Sequence, residues 1–289
     1  MSAISVWSHR VRHTTHDVVT CNSSAATGSP GSTSRLRSVA LVLAAVFAYF
    51  GVRGLTDSSR ARAMHNAAWV RSAERHAHLN WESSLQSLVV GRHAITAVLN
   101  WIYIFGHWPV IALTLLWLLH RNPDLYARTV GAMLVSGAVG LITFAAFPVA
   151  PPRLAELGMT DTVTRQSHAY RVLQPPALTD QYAAMPSLHV GWNLLMTLGV
   201  LAATRSVWLR VTAIALTVAM DATVVLTANH YVVDAVAGAL LAHLGWHAAE
   251  HLQARRPSRL RTGPSKHGVP GRFAGPPGEG GARVAVGRP

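Results

Sequence analysis

The sequence predicts an all-α, polytopic membrane protein built as a six-helix transmembrane bundle. Half of the 289 residues are hydrophobic and only 13% are charged. The apolar residues are grouped in blocks rather than spaced at the intervals of a soluble amphipathic helix, which is typical of membrane spans. Arginines lie between and after these blocks, and Lys266 is the only lysine in a chain of formal charge +13. The positive-inside rule and anionic lipid headgroups explain this placement better than nucleic acid does, so we expect no nucleic-acid partner.

The apolar blocks are flanked by polar segments in which apolar residues do not recur at regular intervals. Residues 1–34 are rich in Ser, Thr, His and Gly, and residues 256–289 are dominated by Pro, Gly and Arg. Neither segment has the apolar residues needed to form a core, so both are predicted to be disordered tails. The transmembrane domain is therefore predicted to occupy residues 35–255. Cys21 is the only cysteine, so no disulfide forms within the chain.

The first apolar run, 38–52, follows Arg35 and Arg37 and is short for a span. Snorkelling of the flanking arginines would lengthen it. A signal peptide is the alternative, because small residues at 61 and 63 follow, although no such site stands directly after the run. The mixed segment 57–92 combines Trp and Arg, which predicts a helix at the membrane surface, with a solvated linker as the alternative.

Five further apolar blocks complete the predicted bundle. They are 94–119, 130–149, 188–203, 211–227 and 231–248, and Pro109 predicts a tilt or kink in the first of them. With six spans both termini share a side, and the arginines in the tails and short turns place that side in the cytoplasm. The arginines of 57–92 fit this orientation only if that segment is interfacial. The polar loop 150–185 then faces outward, and we expect a multi-pass protein of the plasma membrane.

Three motifs converge on the outer face, and two of them are suited to binding an anion. In Ala-Pro-Pro-Arg, consecutive prolines stiffen the backbone ahead of Arg153, whose planar guanidinium can bond two phosphate oxygens at once. In Pro-Ser-Leu-His, Pro186 favours the first turn of a helix. The free amides of that turn and the hydroxyl of Ser187 would form an anion cradle.

The third motif carries His230 and Asp234, which are four residues apart and share one face of a helix. Ionisable residues are costly in a membrane segment, so they favour a functional interpretation. A carboxylate beside a neutral imidazole holds the ring and stabilises its charged form, which makes His230 a candidate nucleophile. His189 is the candidate acid that protonates the leaving group.

Together the motifs resemble those of the type 2 phosphatidic acid phosphatase (PAP2) superfamily, most closely its inositolphosphotransferase, aureobasidin-resistance-type branch. The resemblance implies that His230 is the nucleophile and that Asp234 orients it. It implies further that His189 protonates the leaving group, that Arg153 holds the phosphate, and that no metal or other cofactor takes part. The residues that carry it are AlaProProArg 150–153, AlaMetProSerLeuHis 184–189, and HisTyrValValAsp 230–234 with Gly238.

Two departures from the superfamily pattern fit the aureobasidin branch. The lysine-containing first motif is missing, with Arg153 in its place, and Val224 stands where an arginine usually precedes the nucleophilic histidine. The sequence therefore predicts an integral-membrane lipid phosphotransferase or phosphatase that works through a phosphohistidine. The branch favours transfer of a phospho-headgroup to a lipid hydroxyl, and hydrolysis of a lipid or prenyl phosphate is the alternative.

Alternatives from other classes remain open. A transporter with a proton relay would carry ionisable residues along several spans at mid-depth, whereas here they are predicted to lie together at one end of the spans. The vanadium-dependent haloperoxidases share a similar phosphate pocket but are soluble. His243, His247 and His251 lie on one face of the last span and form the alternative metal-binding set. The expected partners are membrane lipids, with a phospholipid, sphingolipid or prenyl phosphate as substrate, and the oligomeric state is left open.

Overall fold

The structure is a computed structural model that describes residues 40, 51, 59–155, 157–163 and 181–255. Within this part of the chain there are no strands, and Val149 and Ala183 form one isolated parallel bridge. The all-α prediction is confirmed for these residues. The predicted tails and nearly all of the first apolar run lie outside them. Eight helices can be delimited among the described residues: α1 (Arg60–His76), α2 (Glu82–Ser87), α3 (His93–Phe105), α4 (Trp108–Arg121), α5 (Pro123–Ala146), α6 (Leu188–Ala203), α7 (Val207–Leu226) and α8 (Val232–Ala254).

Three of these helices, α5, α7 and α8, are long and apolar enough to cross a membrane. Helices α3 and α4 add a fourth span if they are counted as one, since they are bent by 44° at a short break. The apolar α6 has only 16 residues. The described residues thus provide three or four spans by length and composition, and the predicted six-span bundle is not confirmed.

The bend between α3 and α4 falls just ahead of Pro109, the residue that predicted a kink. Gly106 ends α3 with its N–H bonded to the Ile102 carbonyl at 2.7 Å, and a Cβ at Gly106 would lie 2.5 Å from that same oxygen. Pro109 lies in the first turn of α4, where its missing N–H costs no hydrogen bond. The break leaves His107 buried against α6, with its ring stacked 6.0 Å from that of Trp192.

Helix α6 is the centre of the bundle and packs against α4, α5, α7 and α8. Its crossing with α8 is made by small residues, which let two backbones approach closely. A Cβ at Gly191 would lie 2.7 Å from the Gly238 carbonyl oxygen, and a Cβ at Gly238 would lie 2.1 Å from that of Ser187. The crossing therefore joins the first turn of α6 to the early turns of α8.

The described part of the mixed segment, residues 59–92, contains α1 and α2 and is not a solvated linker. Ala63, Ala67 and Val70 on one face of α1 are buried against the chain around Val149. On the other face Trp69 is 62% exposed, a position typical of residues at a membrane interface. The segment therefore packs on the bundle beside the loops that carry the predicted motifs.

Candidate active site

His230 lies between α7 and α8, in a buried position. Its Nδ1 is 2.8 Å from the backbone carbonyl oxygen of Ala184. Because a carbonyl oxygen only accepts, Nδ1 carries the proton and the neutral ring presents its lone pair at Nε2. The local sequence thus supplies the histidine, and the chain just ahead of α6 selects its tautomer.

Asp234 is fully buried one turn into α8. Its Oδ2 accepts a hydrogen bond from the backbone N–H of Tyr231 at 2.8 Å and lies 3.6 Å from Nδ1 of His230. Its Oδ1 has no hydrogen-bond partner in the described part of the chain. The predicted pair is therefore within ion-pair distance, while Nδ1 of the ring donates its hydrogen bond to the Ala184 carbonyl.

His189 lies in the first turn of α6, where the α6–α8 crossing brings it opposite His230. The ring centroids of the two histidines are 5.8 Å apart. Tyr103 of α3 stacks on the His189 ring with a centroid distance of 4.8 Å, and the His107 ring lies 4.4 Å away on the same side of the bundle. The structure thus brings the two predicted histidines together and packs aromatic rings around one of them.

Arg153 is held beside the same loop by three hydrogen bonds. Its backbone N–H donates to the Ala228 carbonyl at 2.9 Å, and its Nε donates to Oδ1 of Asn229 at 2.9 Å. Its Nη1 forms a buried ion pair with Oδ2 of Asp161 at 2.8 Å. The sequence places Asp161 only in a polar loop, so this pairing is a contribution of the tertiary structure.

Ser187 is fully buried at the start of α6. Its hydroxyl oxygen accepts a hydrogen bond from the Val190 N–H at 3.5 Å, which makes it the N-cap of the helix. Its own N–H donates to the backbone carbonyl of Asp234 at 3.0 Å. These contacts describe a capping residue, and its role in binding phosphate stays a prediction.

His107 and Asn193 are parts of this site that sequence reasoning did not single out. The side-chain Nδ2 of Asn193 lies 3.0 Å from Nδ1 of His107 and donates to the His189 carbonyl at 2.9 Å. Both side chains are buried. The signal for His107 was present, because an ionisable residue inside an apolar block favours a functional interpretation.

Glu74 and Glu82 are also near this site, and no local sequence pattern predicts that they lie there. Oε1 of Glu74 accepts from the Val233 N–H at 2.9 Å, and Oε1 of Glu82 accepts from the Val232 N–H at 3.0 Å. Together with Asp234 they satisfy three backbone amides at the start of α8, where negative charge is favoured by the helix dipole. Burial, reinforced by the nearby carboxylate of Glu82, raises the pKa of Glu74 to about 8.

The alternative metal-binding histidines lie at the far end of α8. The rings of His243 and His247 are 5.1 Å apart, and Nδ1 of His247 is 3.6 Å from Oε2 of Glu250. Among the described residues no group of three or more His, Cys, Asp or Glu side chains is arranged to hold a metal ion. The geometry therefore does not support a metal site at His243, His247 and His251.

The match to known families spans all three motifs. The family model of the PAP2 superfamily matches residues 68–248, which is more than half of the chain. The chain belongs to the PAP2 superfamily. The match includes Arg153, Ser187, His189, His230 and Asp234, and it identifies the superfamily without pointing to the aureobasidin-type branch. No curated protein and no solved structure matches the chain. With its apolar helices, this PAP2 chain is a membrane protein of a superfamily of phosphatases and phosphotransferases.

Proposed function

We propose that this PAP2 protein transfers a phosphorylated headgroup from a lipid donor to a lipid hydroxyl through a phosphohistidine at His230. The observation that carries the proposal is the bond between Nδ1 of His230 and the Ala184 carbonyl. It leaves the Nε2 lone pair available for attack, on a ring whose centroid is 5.8 Å from that of His189. A nucleophile and a proton donor this close together suit displacement at phosphorus.

In the first step Nε2 of His230 attacks the phosphorus of a phosphodiester lipid. A P–N bond forms, the P–O bond to the lipid alkoxide breaks, and His189 donates a proton to the departing oxygen. The ring of His230 becomes cationic, and the buried carboxylate of Asp234, 3.6 Å from Nδ1, stabilises that charge. His189 is left neutral and ready to act as a base.

In the second step the hydroxyl of an acceptor attacks the same phosphorus. His189 takes the hydroxyl proton, the new P–O bond forms, and the P–N bond breaks to regenerate neutral His230. Water in place of the acceptor gives hydrolysis by the same route. Transfer thus depends on an acceptor pocket that excludes water, and the resemblance of the motifs to the inositolphosphotransferase branch favours it.

Arg153 supplies positive charge for the phosphate in this scheme. It is anchored to Asn229, the residue directly before His230, so its position is tied to that of the nucleophile. The ion pair with Asp161 fixes the guanidinium but also places a negative charge next to the bound anion. The affinity for phosphate is therefore set by the balance between Arg153 and Asp161.

We place the active site on the extracytoplasmic face of the plasma membrane. Arg121 is the last residue of α4, and Arg205 lies in the turn after α6, both at the ends of the helices opposite to His189 and His230. Arginines in short loops favour the cytoplasmic side. The donor and acceptor lipids would then reach the site from the outer leaflet.

The decisive experiment mixes purified protein with a phosphodiester lipid carrying a labelled headgroup and with an alcohol lipid. We expect the label in a new lipid faster than it appears in a water-soluble product. His230→Ala should abolish both products, vanadate should inhibit, and chelators should have no effect. His120→Ala, at an exposed position on the opposite end of the bundle, is the matched control.

Two outcomes would contradict the proposal. Ready release of phosphate from monoester lipids, with no acceptor ever labelled, would make the protein a lipid phosphatase. Loss of turnover with a chelator, restored by added metal, would overturn the phosphohistidine mechanism. An intermediate trapped on His230 and seen by mass spectrometry of quenched reactions would support it directly.

A further inference from the structure

A cavity of about 470 Å³ lies between α1, the chain that follows Arg153, and the residue after His230. Its wall combines two arginines with apolar side chains. The residues that matter here are Arg71 and Arg75 of α1, Met64, Leu157 and Tyr231.

The two arginines are one helical turn apart and therefore lie on the same face of α1. Neither guanidinium lies within 4.0 Å of a carboxylate oxygen in the described residues. Glu74, which lies between them in sequence, turns away and accepts from the N–H of Val233. Among the described residues, therefore, no carboxylate forms an ion pair with either arginine of this cavity.

Two arginines elsewhere in the bundle form ion pairs. Arg128 donates to Glu250, and Arg153 donates to Asp161. Two unneutralised guanidiniums that line one cavity raise its positive potential and favour an anionic ligand. Two forks at this spacing suit a phosphate group, because each guanidinium can bond two of its oxygens.

The surroundings favour a phosphate that belongs to a lipid. Met64 and Leu157 place apolar surface in the same cavity as the arginines. Trp69 on α1 is 62% exposed and packs edge-to-face on Phe147, a position suited to the membrane interface. A ligand with a phosphate and an apolar part matches such a wall.

The cavity is separate from the space around His230. The described residues that line the cavity include Tyr231 and do not include His230. The hydroxyl of Tyr231 donates to the Ala150 carbonyl at 3.2 Å, whereas His230 bonds to Ala184. The side chains of these two neighbouring residues therefore bond to different segments of the chain.

We propose that this cavity is a second anion site, distinct from the catalytic one, which binds the phosphate group of an anionic membrane lipid. Such a site holds an anionic lipid against Tyr231 at the edge of the catalytic loop. It recognises the phosphate through Arg71 and Arg75 and does not require the lipid to react. Lipid binding at this cavity therefore does not depend on the transfer reaction.

The test is native mass spectrometry of the purified full chain in detergent, titrated with a non-hydrolysable phosphonate analogue of phosphatidic acid. We expect R71Q/R75Q to weaken binding at least tenfold, both in the wild type and in an Arg153→Gln background that impairs the catalytic site. R205Q/R210Q removes the same charge from exposed positions at the other end of the bundle and should leave binding unchanged. Phosphatidylcholine, whose headgroup has no net charge, should bind weakly to every variant.

Inorganic phosphate distinguishes the sources of the ligand. Displacement of the analogue by millimolar phosphate would assign the affinity to the phosphate group, and no displacement would assign it to the whole lipid; either result supports the site. An equal loss of affinity in R71Q/R75Q and in R205Q/R210Q would overturn the proposed site. A loss of affinity in Arg153→Gln alone would also overturn it. If R71Q/R75Q does not fold, the single variants R71Q and R75Q make the same comparison.

Discussion

Gly238 on α8 lies directly against the backbone of Ser187 at the start of α6. A Cβ at Gly238 would be 2.1 Å from the Ser187 carbonyl oxygen, and the Ser187 N–H donates to the Asp234 carbonyl at 3.0 Å. This contact fixes the first turn of α6 relative to the first turn of α8. The 5.8 Å separation of the His189 and His230 rings depends on it.

The first prediction follows from that contact. Gly238→Ala should destabilise the protein by roughly 1 to 3 kcal/mol through overpacking and should lower turnover, because the helices must separate. Gly131→Ala is the control, since its Cβ would meet Ala249 only at an ordinary 3.4 Å and alanine favours a helix. Thermal unfolding in detergent measures both. Equal midpoints for the two variants would show that the crossing tolerates a side chain.

The second prediction concerns the charge balance at Arg153. Asp161→Asn removes the negative charge that pairs with the guanidinium, so vanadate should inhibit at a concentration several-fold lower. Arg153→Gln should raise the vanadate concentration that is needed for inhibition. Asp124→Asn, at an exposed position at the start of α5, is the control. Weaker inhibition of Asp161→Asn would mean that the ion pair is needed to position Arg153.

The third prediction is a pH dependence of stability that arises from Glu74. Its pKa is raised from 4.5 to about 8, so the folded state holds more protons than the unfolded state between those values. The contribution of Glu74 to stability is full below pH 4.5 and is lost as the pH rises through 8. Glu82 and Asp234 face the same end of α8, and their negative charges raise the pKa of Glu74 as its burial does.

Glu74→Gln tests this pH dependence because an amide keeps the acceptor oxygen for Val233 but does not ionise. The unfolding midpoint of the wild type should fall more steeply between pH 5 and pH 8 than that of Glu74→Gln. Glu250→Gln, at an exposed ion pair, should retain the slope of the wild type. Parallel curves for wild type and Glu74→Gln would show that Glu74 is ionised throughout this range.

The fourth prediction concerns His107, whose ring lies 4.4 Å from that of His189. His107→Ala should lower kcat about tenfold to a hundredfold with little change in KM, because the proton donor loses the ring that positions it. His107→Asn, which keeps a polar partner for Asn193, should recover part of the loss. An unchanged kcat would limit His107 to packing.

The fifth prediction concerns topology. In a Cys21→Ser background, a cysteine at the exposed Gln181 should react with an impermeant thiol reagent in intact cells. A cysteine at the exposed Arg205 should react only after the membrane is opened. The reverse pattern would place the active site in the cytoplasm.

The sequence by itself determined those features that depend on local patterns. Apolar blocks identified α5, α7 and α8 as membrane helices, since hydropathy over a span reports the solvent that a helix prefers. The spacing of His230 and Asp234 predicted their proximity, and they lie 3.6 Å apart, but His230 precedes α8, so the predicted shared face of one helix is wrong. Motif order was enough to identify the superfamily that the family model then confirmed.

Contacts between distant segments were decided only by the tertiary structure. The tautomer of His230 is set by Ala184, 46 residues away, and the start of α8 is capped by Glu74, 159 residues away from its partner Val233. Such partners depend on how helices cross, and a crossing angle or a loop path leaves no periodic signal in the chain. Among the described residues, three helices, or four if α3 and α4 are counted as one span, are long and apolar enough to cross a membrane, so the six-span count is not confirmed.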